Sequence, residues 1–456
     1  MRAWMWALVV MLLMCGVGWG AEAGKQIKLS FKERSLGKVG PTGRMVFSAD
    51  GRHVAYALKR SSGWVVVVDG VEGKEYEWVL ASSVVFSPDS KRVAYQVQRG
   101  ENVLVVVGTE AGKEYKDVLS RVVFSPDGQH VGYVAKVSAE SGGVAVVMDG
   151  VAGKEYEKIN RVVFSADSKR VGFRAEVEGK RFWVIDGEEG KKYDTVGPLI
   201  FSADGKRWAY MGEGGGKQMM VIEGQEGKGY DMVGGMSFSR DGKRVGFAAV
   251  RGQRYFVVVD GEEGKGYDVV TEPRFSPEGK RVVYEAIRNK RSMTVVDGEE
   301  GRTYDKVGAA MFSGDGRHVV YRAVAERKHV LVVDGVESKE YDKIGDVVAV
   351  SADGKRIAHS ARNGLVDFLV LDGKEMSGSG SITMSPDGRY VAHMKEEAVS
   401  PGRAACSVLM VNGVRGKEYE GFFAGANWVF EGPNRLVVMA GRDGEVLLVE
   451  VEIGEE

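Results

Sequence analysis

One phrase recurs along the chain and leaves few folds open. It is clearest as Phe275-Ser276-Pro277-Glu278-Gly279-Lys280-Arg281-Val282-Val283-Tyr284, followed by Thr294-Val295-Val296-Asp297-Gly298-Glu299-Glu300-Gly301 and Tyr304. The first half returns at Phe47, Phe86, Phe124, Phe164, Phe201, Phe238 and Phe312, then at Val350, Met384 and, degenerately, Phe430. That is about eleven units, mostly spaced roughly 37 to 40 residues apart, a period that points to propellers or solenoids. The second half carries its tyrosine at Tyr76, Tyr115, Tyr156, Tyr193, Tyr230, Tyr267, Tyr304, Tyr341 and Tyr419.

Each unit reads as four strands. Arg-Val-Val-Phe-Ser is short and β-branched and forms strand a. The Asp-Gly that follows is a turn, since Asp bonds its own backbone and Gly supplies positive φ. Lys-Arg-Val-Ala-Tyr is strand b. The apolar run ending in Asp is strand c, buried on both faces. Asp-Gly opens a tight hairpin into strand d, read as Lys-Glu-Tyr-Glu-Trp-Val in the unit at residues 74–79. Four short strands per unit match a propeller blade, and 3.6-residue periodicity is scarce.

The phrase Phe-Ser-Pro-Asp-Gly-Lys-Arg-Val-Ala-Tyr resembles the WD40-like β-propeller repeat of the TolB type, and the resemblance covers residues 24–456. It implies an all-β propeller and says little about activity. TolB-type relatives work in envelope protein contacts. The Gly-His and Trp-Asp signature of eukaryotic WD40 blades is absent.

The ends suggest closure. Glu33 to Val39 has no strand partners of its own, while Phe430, Leu436–Val438 and Glu445–Val451 supply only three strands of a last unit. The N-terminal strand is therefore expected to complete the last blade of one large ring, which removes exposed edges. Two propellers side by side are the alternative.

Ahead of the repeats, Arg2 and the apolar run Ala7 to Val17, then Gly18 to Ala23, read as a secretory signal peptide over residues 1–23. No later segment is apolar enough to cross a membrane. Cys15 lies in that leader and Cys406 stands alone, so no internal disulfide is expected. These features place the mature chain in a bacterial periplasm or outside the cell. A net charge of −1 gives no global field for nucleic acid.

The residues with chemistry in them are mostly repeated. Asp50, Asp89, Asp127, Asp167, Asp204, Asp241, Asp315, Asp353 and Asp387, with Glu278 in the same slot, recur once per blade. Catalysis needs one asymmetric set, so these read as structural turn residues. The hairpin acids Asp69, Asp149, Asp186, Asp260, Asp297, Asp334 and Asp372 offer too few oxygens per site for calcium. Lys-Arg pairs after the first turn, such as Lys243-Arg244, predict a basic circle on one face. The Glu pairs of the hairpins, such as Glu262-Glu263, predict an acidic circle, with the two faces oppositely charged.

The slot at Tyr284 is aromatic in Tyr56, Tyr95, Tyr133, Phe173, Tyr210, Phe247 and Tyr321, as expected for rings wedged between blades. His359 and His393 replace it in adjacent units and are the candidate binding residues. The late units also loosen, at Ser377 to Ser381, where the tyrosine is missing, and at Lys395 to Ala405. No G-x-S-x-G, H-E-x-x-H or C-x-x-C occurs. The sequence therefore leads to a non-enzymatic scaffold with no cofactor that binds an unidentified protein or envelope polymer. The alternative is an enzyme of the lactonase or sugar-oxidising kind with a channel metal.

Overall fold

The computed structural model describes residues 27–38, 45–137, 142–377, 382–397, 406–422 and 428–455. The signal segment 1–23, the Val39-Gly40-Pro41 handover, Gly378 to Ser381 and most of the Lys395–Ala405 loop lie outside them.

The chain forms eleven antiparallel sheets in one ring. Blades 1 to 11 are numbered in chain order, with Phe47 in blade 1, Phe275 in blade 7 and Phe430 in blade 11. In blade 7 the innermost strand is split into Val269–Val270 and Arg274–Phe275. Strands b, c and d are Val282–Arg288, Arg291–Val296 and Glu299–Tyr304. Strand c is buried from Ser292 to Val295 because neighbouring sheets cover both its faces; Met293 and Val295 are almost fully buried.

Alternating strand directions put the a–b turns and c–d hairpins at one end of the ring, here the turn face. The b–c turns and d–a connections lie at the other end, the loop face.

The boundary between strands d and a differs from the sequence reading. Tyr76 pairs with Trp64 and ends the outer strand of blade 1. Trp78–Val79 instead pairs with Gln98 and Val97 in blade 2. All nine tyrosines of this slot pair with strand c in the same way. No Gly or Pro marks this crossing, so the alternating pattern runs through it unbroken.

Blade 11 is completed by the other end of the chain. Ile27–Lys38 pairs antiparallel with Glu445–Glu455, from Ile27↔Glu455 to Lys38↔Glu445, as its outer strand. This strand starts earlier than Glu33, at Ile27. Leu36 is buried with Val54 of blade 1 and Val437, Met439, Val446 and Leu448 of blade 11. Across the same seam Arg52 of blade 1 holds Glu431 of blade 11, with Nε at 2.8 Å and Nη2 at 2.7 Å.

Candidate functional site

The turn face is built from one unit repeated. In blade 6 the buried Ser239 hydroxyl donates to Asp241 at 2.6 Å and accepts from the Arg244 N–H at 2.9 Å. The other lobe of the turn closes when the Lys243 N–H donates to Asp241. The same Ser–Asp bond recurs at Asp50, Asp89, Asp127, Asp167, Asp204, Asp315, Asp353 and Asp387. Each of these carboxylates also accepts the N–H two residues on. The hydrogen bond from Ser239 holds the Asp241 carboxyl below the usual carboxylate range. All nine are engaged in their own turn.

The hairpin acids are engaged as well. Asp297 and Gly298 have φ of 53° and 84°, the pair of positive values a two-residue type I′ turn requires. The Asp297 carboxylate accepts the Val282 N–H at 2.8 Å and pairs with Arg281 Nε at 3.0 Å. Asp186, Asp260 and Asp372 hold Arg170, Arg244 and Arg356 in the same way. In three blades histidine takes the arginine's place, with Nδ1 of His53, His130 and His318 at 2.6, 2.8 and 2.6 Å from Asp69, Asp149 and Asp334. Replacing Asp297 by Ala removes the Val282 acceptor and puts a residue with little tolerance for left-handed φ into the turn. The expected loss is about 2 kcal/mol by chemical denaturation, with Asp297→Asn losing less than half of that.

These bonds correct the expected charge pattern. Arg170, Arg207, Arg244, Arg281 and Arg356 of the Lys-Arg pairs each meet a hairpin acid, so the basic and acidic circles lie on the same face and largely neutralise each other; Arg92, opposite Gly108, donates to the Gly128 and Gln129 carbonyls instead. The arginine also reaches the following blade: Arg244 Nη1 donates to the Lys280 carbonyl at 2.8 Å and its guanidinium lies 5.3 Å from the Phe275 ring centre. The lysines stay exposed, as at Lys206 and Lys243.

The hairpin glutamates have a role the sequence reading missed. The tyrosine ending each outer strand packs edge-on against the strand-b ring of the next blade, as Tyr267 does on Tyr284 and Tyr304 on Tyr321. In blades 3 to 7 its hydroxyl donates to the next blade's hairpin glutamate, as Tyr230 does to Glu263, Tyr267 to Glu300 and Tyr304 to Glu337, whereas the Tyr115 hydroxyl of blade 2 is buried without a hydrogen-bond partner among the described residues. Arg251 and Arg288 clamp Glu263 and Glu300 from the same blade. The signal lay in the fixed spacing of Tyr and Glu, 33 residues apart in each pair. At the seam Glu33 of the N-terminal strand takes this place, accepting from Tyr419 at 2.8 Å, Arg442 at 2.8 Å and Lys417 at 3.1 Å. On the loop face the aspartate after the tyrosine makes a second latch: Asp231, Asp268 and Asp305 accept N–H groups from Gly252, Asn289 and Glu326 of the next blade.

The two candidate histidines both occupy the interblade wedge. His359 packs edge-on against Tyr341 with centroids 5.9 Å apart, and its Nδ1 lies 3.2 Å from the Ser360 carbonyl. His393 is buried at 1% exposure beside Ile382 and Met410 in the strand register, and neither ring nitrogen has a hydrogen-bond partner. The preceding blade lacks the tyrosine that packs against this slot elsewhere. Burial holds both rings neutral, with His393 pushed down to about 4. The folded pKa lies below the unfolded one near 6.5, so the unfolded state binds the extra proton between those values and stability falls as pH drops from about 6.5 towards 4. His393→Phe is expected to melt higher than the parent at pH 5 and to lose much of that slope, read by thermal unfolding at pH 5 and 7.5. The two histidines are not joined by a third ligand: among the described residues no three His, Cys, Asp or Glu side chains group to hold a metal.

One cavity of about 250 Å³ opens between blades 2 and 3 on the loop face, beside Trp78 and Asp117. Large exposed apolar side chains also gather on this face. Trp78, Leu119, Met232 and Val269 lie on innermost strands, and Leu365 and Val366 at the b–c turn of blade 9. Val71, Val151 and Val336 are the counterparts at hairpin tips on the turn face.

No protein-family model matches the chain, and no curated protein matches it. Among solved structures, a eukaryotic initiation factor aligns at 9% identity over 72% of this chain and 96% of that one, with a TM-score of 0.40. The β-propeller domain of the Trilobed protease from Pyrococcus furiosus aligns at 16% identity over 57% and 94%, with a TM-score of 0.28. TolB from Acinetobacter baumannii aligns at 12% identity over 65% and 79%, with a TM-score of 0.26. Likeness at this level concerns architecture alone, and the chain's own eleven sheets establish it as a β-propeller.

Proposed function

We propose that the protein is an exported, non-enzymatic propeller of the WD40-like, TolB type whose loop face binds a protein or a polymer of the bacterial envelope. The observation that carries this is that Trp78, Leu119, Met232, Val269, Leu365 and Val366, spread over blades 2, 3, 6, 7 and 9, are exposed towards the same end of the ring. Exposed apolar groups on a rigid ring mark where a partner is desolvated. On the opposite face the repeated acids are tied up within and between blades, as Asp241 and Asp297 are. Export rests on the leader of Arg2 and Ala7 to Val17. Among the described residues no helix is long and apolar enough to cross a membrane.

The test pairs a pull-down from envelope extract with co-sedimentation on isolated envelope polymer. It compares a loop-face double variant, Met232→Asp with Leu365→Asp, with the turn-face variant Lys243→Glu. The reading expects the first to lose the partner and the second to keep it. Recovery of no partner, together with measured turnover of a substrate or tightly bound stoichiometric metal, overturns it in favour of a propeller enzyme.

A further inference from the structure

The cavity between blades 2 and 3 lies where the short Val103 faces Asp117 and Val118 of the next blade. At the strand-c position that pairs with the tyrosine, some blades carry a long side chain and others, at Val144, Ser292 and Ser407, a short one. In blade 4 it is Arg181, whose Nη1 donates to Thr195 Oγ1 of the next blade at 2.7 Å. In blade 5 it is Gln218, whose Oε1 accepts the Val233 N–H of the next blade at 2.9 Å. Both side chains bridge to the innermost strand of the following blade. Blade 2 has Val103 there, which cannot reach Asp117 or Val118 of blade 3. Blade 2 also inserts a 3-10 turn, Ala81–Ser83, into its innermost strand, directly after Leu80 on the cavity wall.

What surrounds the opening is chemically mixed. Trp78 stands at its edge with 42% exposure, unusual for the largest side chain on a soluble surface. Leu80 and Val103 supply apolar wall. Among the described residues the exposed Asp117 carboxylate makes no hydrogen bond or ion pair, whereas Asp231 and Asp268 on the same face are latched. Gln96 and Gln98 each use their amide N–H groups on backbone carbonyls, of Ser120 and Gly100, which leaves their amide oxygens turned to other donors.

We propose that this cavity is a subsite for one pyranose ring of an envelope polysaccharide. This rests on the binding role proposed above and names the ligand class for it. A pyranose has an apolar C–H face, which an indole plane covers, and a rim of hydroxyl donors, which the Asp117 carboxylate and the two amide oxygens accept. The volume suits a single sugar ring and falls short of a drug-sized ligand. A bound anion is disfavoured by Asp117. A cation cage would surround its charge with several aromatic rings, and here Trp78 stands alone on the wall.

The test uses saturation-transfer NMR on the mature full-length protein with two probes, chitotetraose and cellotetraose. A peptide rich in Lys and Leu serves as the competing class. Saturation is expected on the C–H protons of one ring face of at least one tetrasaccharide. Trp78→Ala is expected to weaken that binding about tenfold or more. Val103→Arg restores the side chain that blade 4 carries, so it is expected to melt no lower than the parent while abolishing sugar binding. The proposal is overturned if neither tetrasaccharide receives saturation, if Val103→Arg binds like the parent, or if only the peptide binds in a Trp78-dependent way. Co-sedimentation separates the two levels: a parent and a Val103→Arg protein that both sediment with envelope polymer leave the binding role intact and remove only this subsite.

Discussion

A protein lacking residues 27–38 is expected to open at the seam between blades 11 and 1, with a larger hydrodynamic radius, binding of apolar dyes and aggregation at micromolar concentration. The deletion leaves Glu445–Glu455, an apolar strand, as a bare sheet edge. It also uncovers the cluster around Leu36, Val54 and Leu448 and the pocket that holds Phe31 and Leu29 against blade 11. Burial of three such side chains is worth on the order of 5 kcal/mol. The charged centre of the same strand is Glu33. Burial alone would raise its pKa, but hydrogen bonds from Arg442, Tyr419 and Lys417 prevail and hold it at about 2. Because the folded value lies below the unfolded one, Glu33 stabilises the closed ring fully above about pH 4.5 and loses that contribution as pH falls towards 2. Hydrogen exchange in 27–38, corrected for intrinsic rates, should therefore stay slow from pH 7 to 5 and rise below 4. In Glu33→Gln the strand should exchange faster at pH 7, with a flatter pH response. An unchanged radius and melting temperature after the deletion would show that the strand does not close the ring.

The second large effect is expected at the wedge between blades. Tyr304 is wholly buried, lies edge-on to Tyr321 of blade 8 and donates to Glu337 of that blade at 2.7 Å. Burial, then the Glu337 bond, push its own ionisation upward, so it remains a donor at any ordinary pH. Tyr304→Ala leaves a cavity between two rigid sheets that cannot close on it, at a cost of about 3 to 5 kcal/mol. Tyr304→Phe keeps the packing and loses the hydroxyl bond, about 1 to 2 kcal/mol. Native-state hydrogen exchange should show the loss concentrated in blades 7 and 8, since each blade touches only its neighbours. A loss shared evenly by all blades, or equal effects of Ala and Phe, would contradict the wedge as the unit of cohesion.

Architecture was legible because one physical device repeats: Ser-Pro-Asp-Gly turns, Asp-Gly hairpins and four apolar runs per unit. The meeting of the two ends was legible because the last unit lacked a strand and Glu33 to Val39 had none to pair with. What the sequence hid were relations between units. Tyr304 and Glu337 belong to different repeats of the written phrase, so their bond emerges only when blades stand side by side. The end of strand d at Tyr76 was masked because Trp78 and Val79 continue the same alternation on a different sheet. Placing basic and acidic circles on opposite faces overlooked that a–b turns and c–d hairpins of one antiparallel sheet share an end, where Arg281 meets Asp297. The cavity under Trp78 is lined by Val103 of one unit and Asp117 and Val118 of the next, so no single unit signals it.

The most direct check on the ring itself is electron cryo-microscopy of the mature protein viewed down its axis. Class averages should show eleven sheets around one opening, with Ile27–Lys38 filling the outer position of the last sheet and no break between that sheet and the first. Two smaller rings, a different count of sheets, or a gap at the seam beside Arg52 and Glu431 would contradict it.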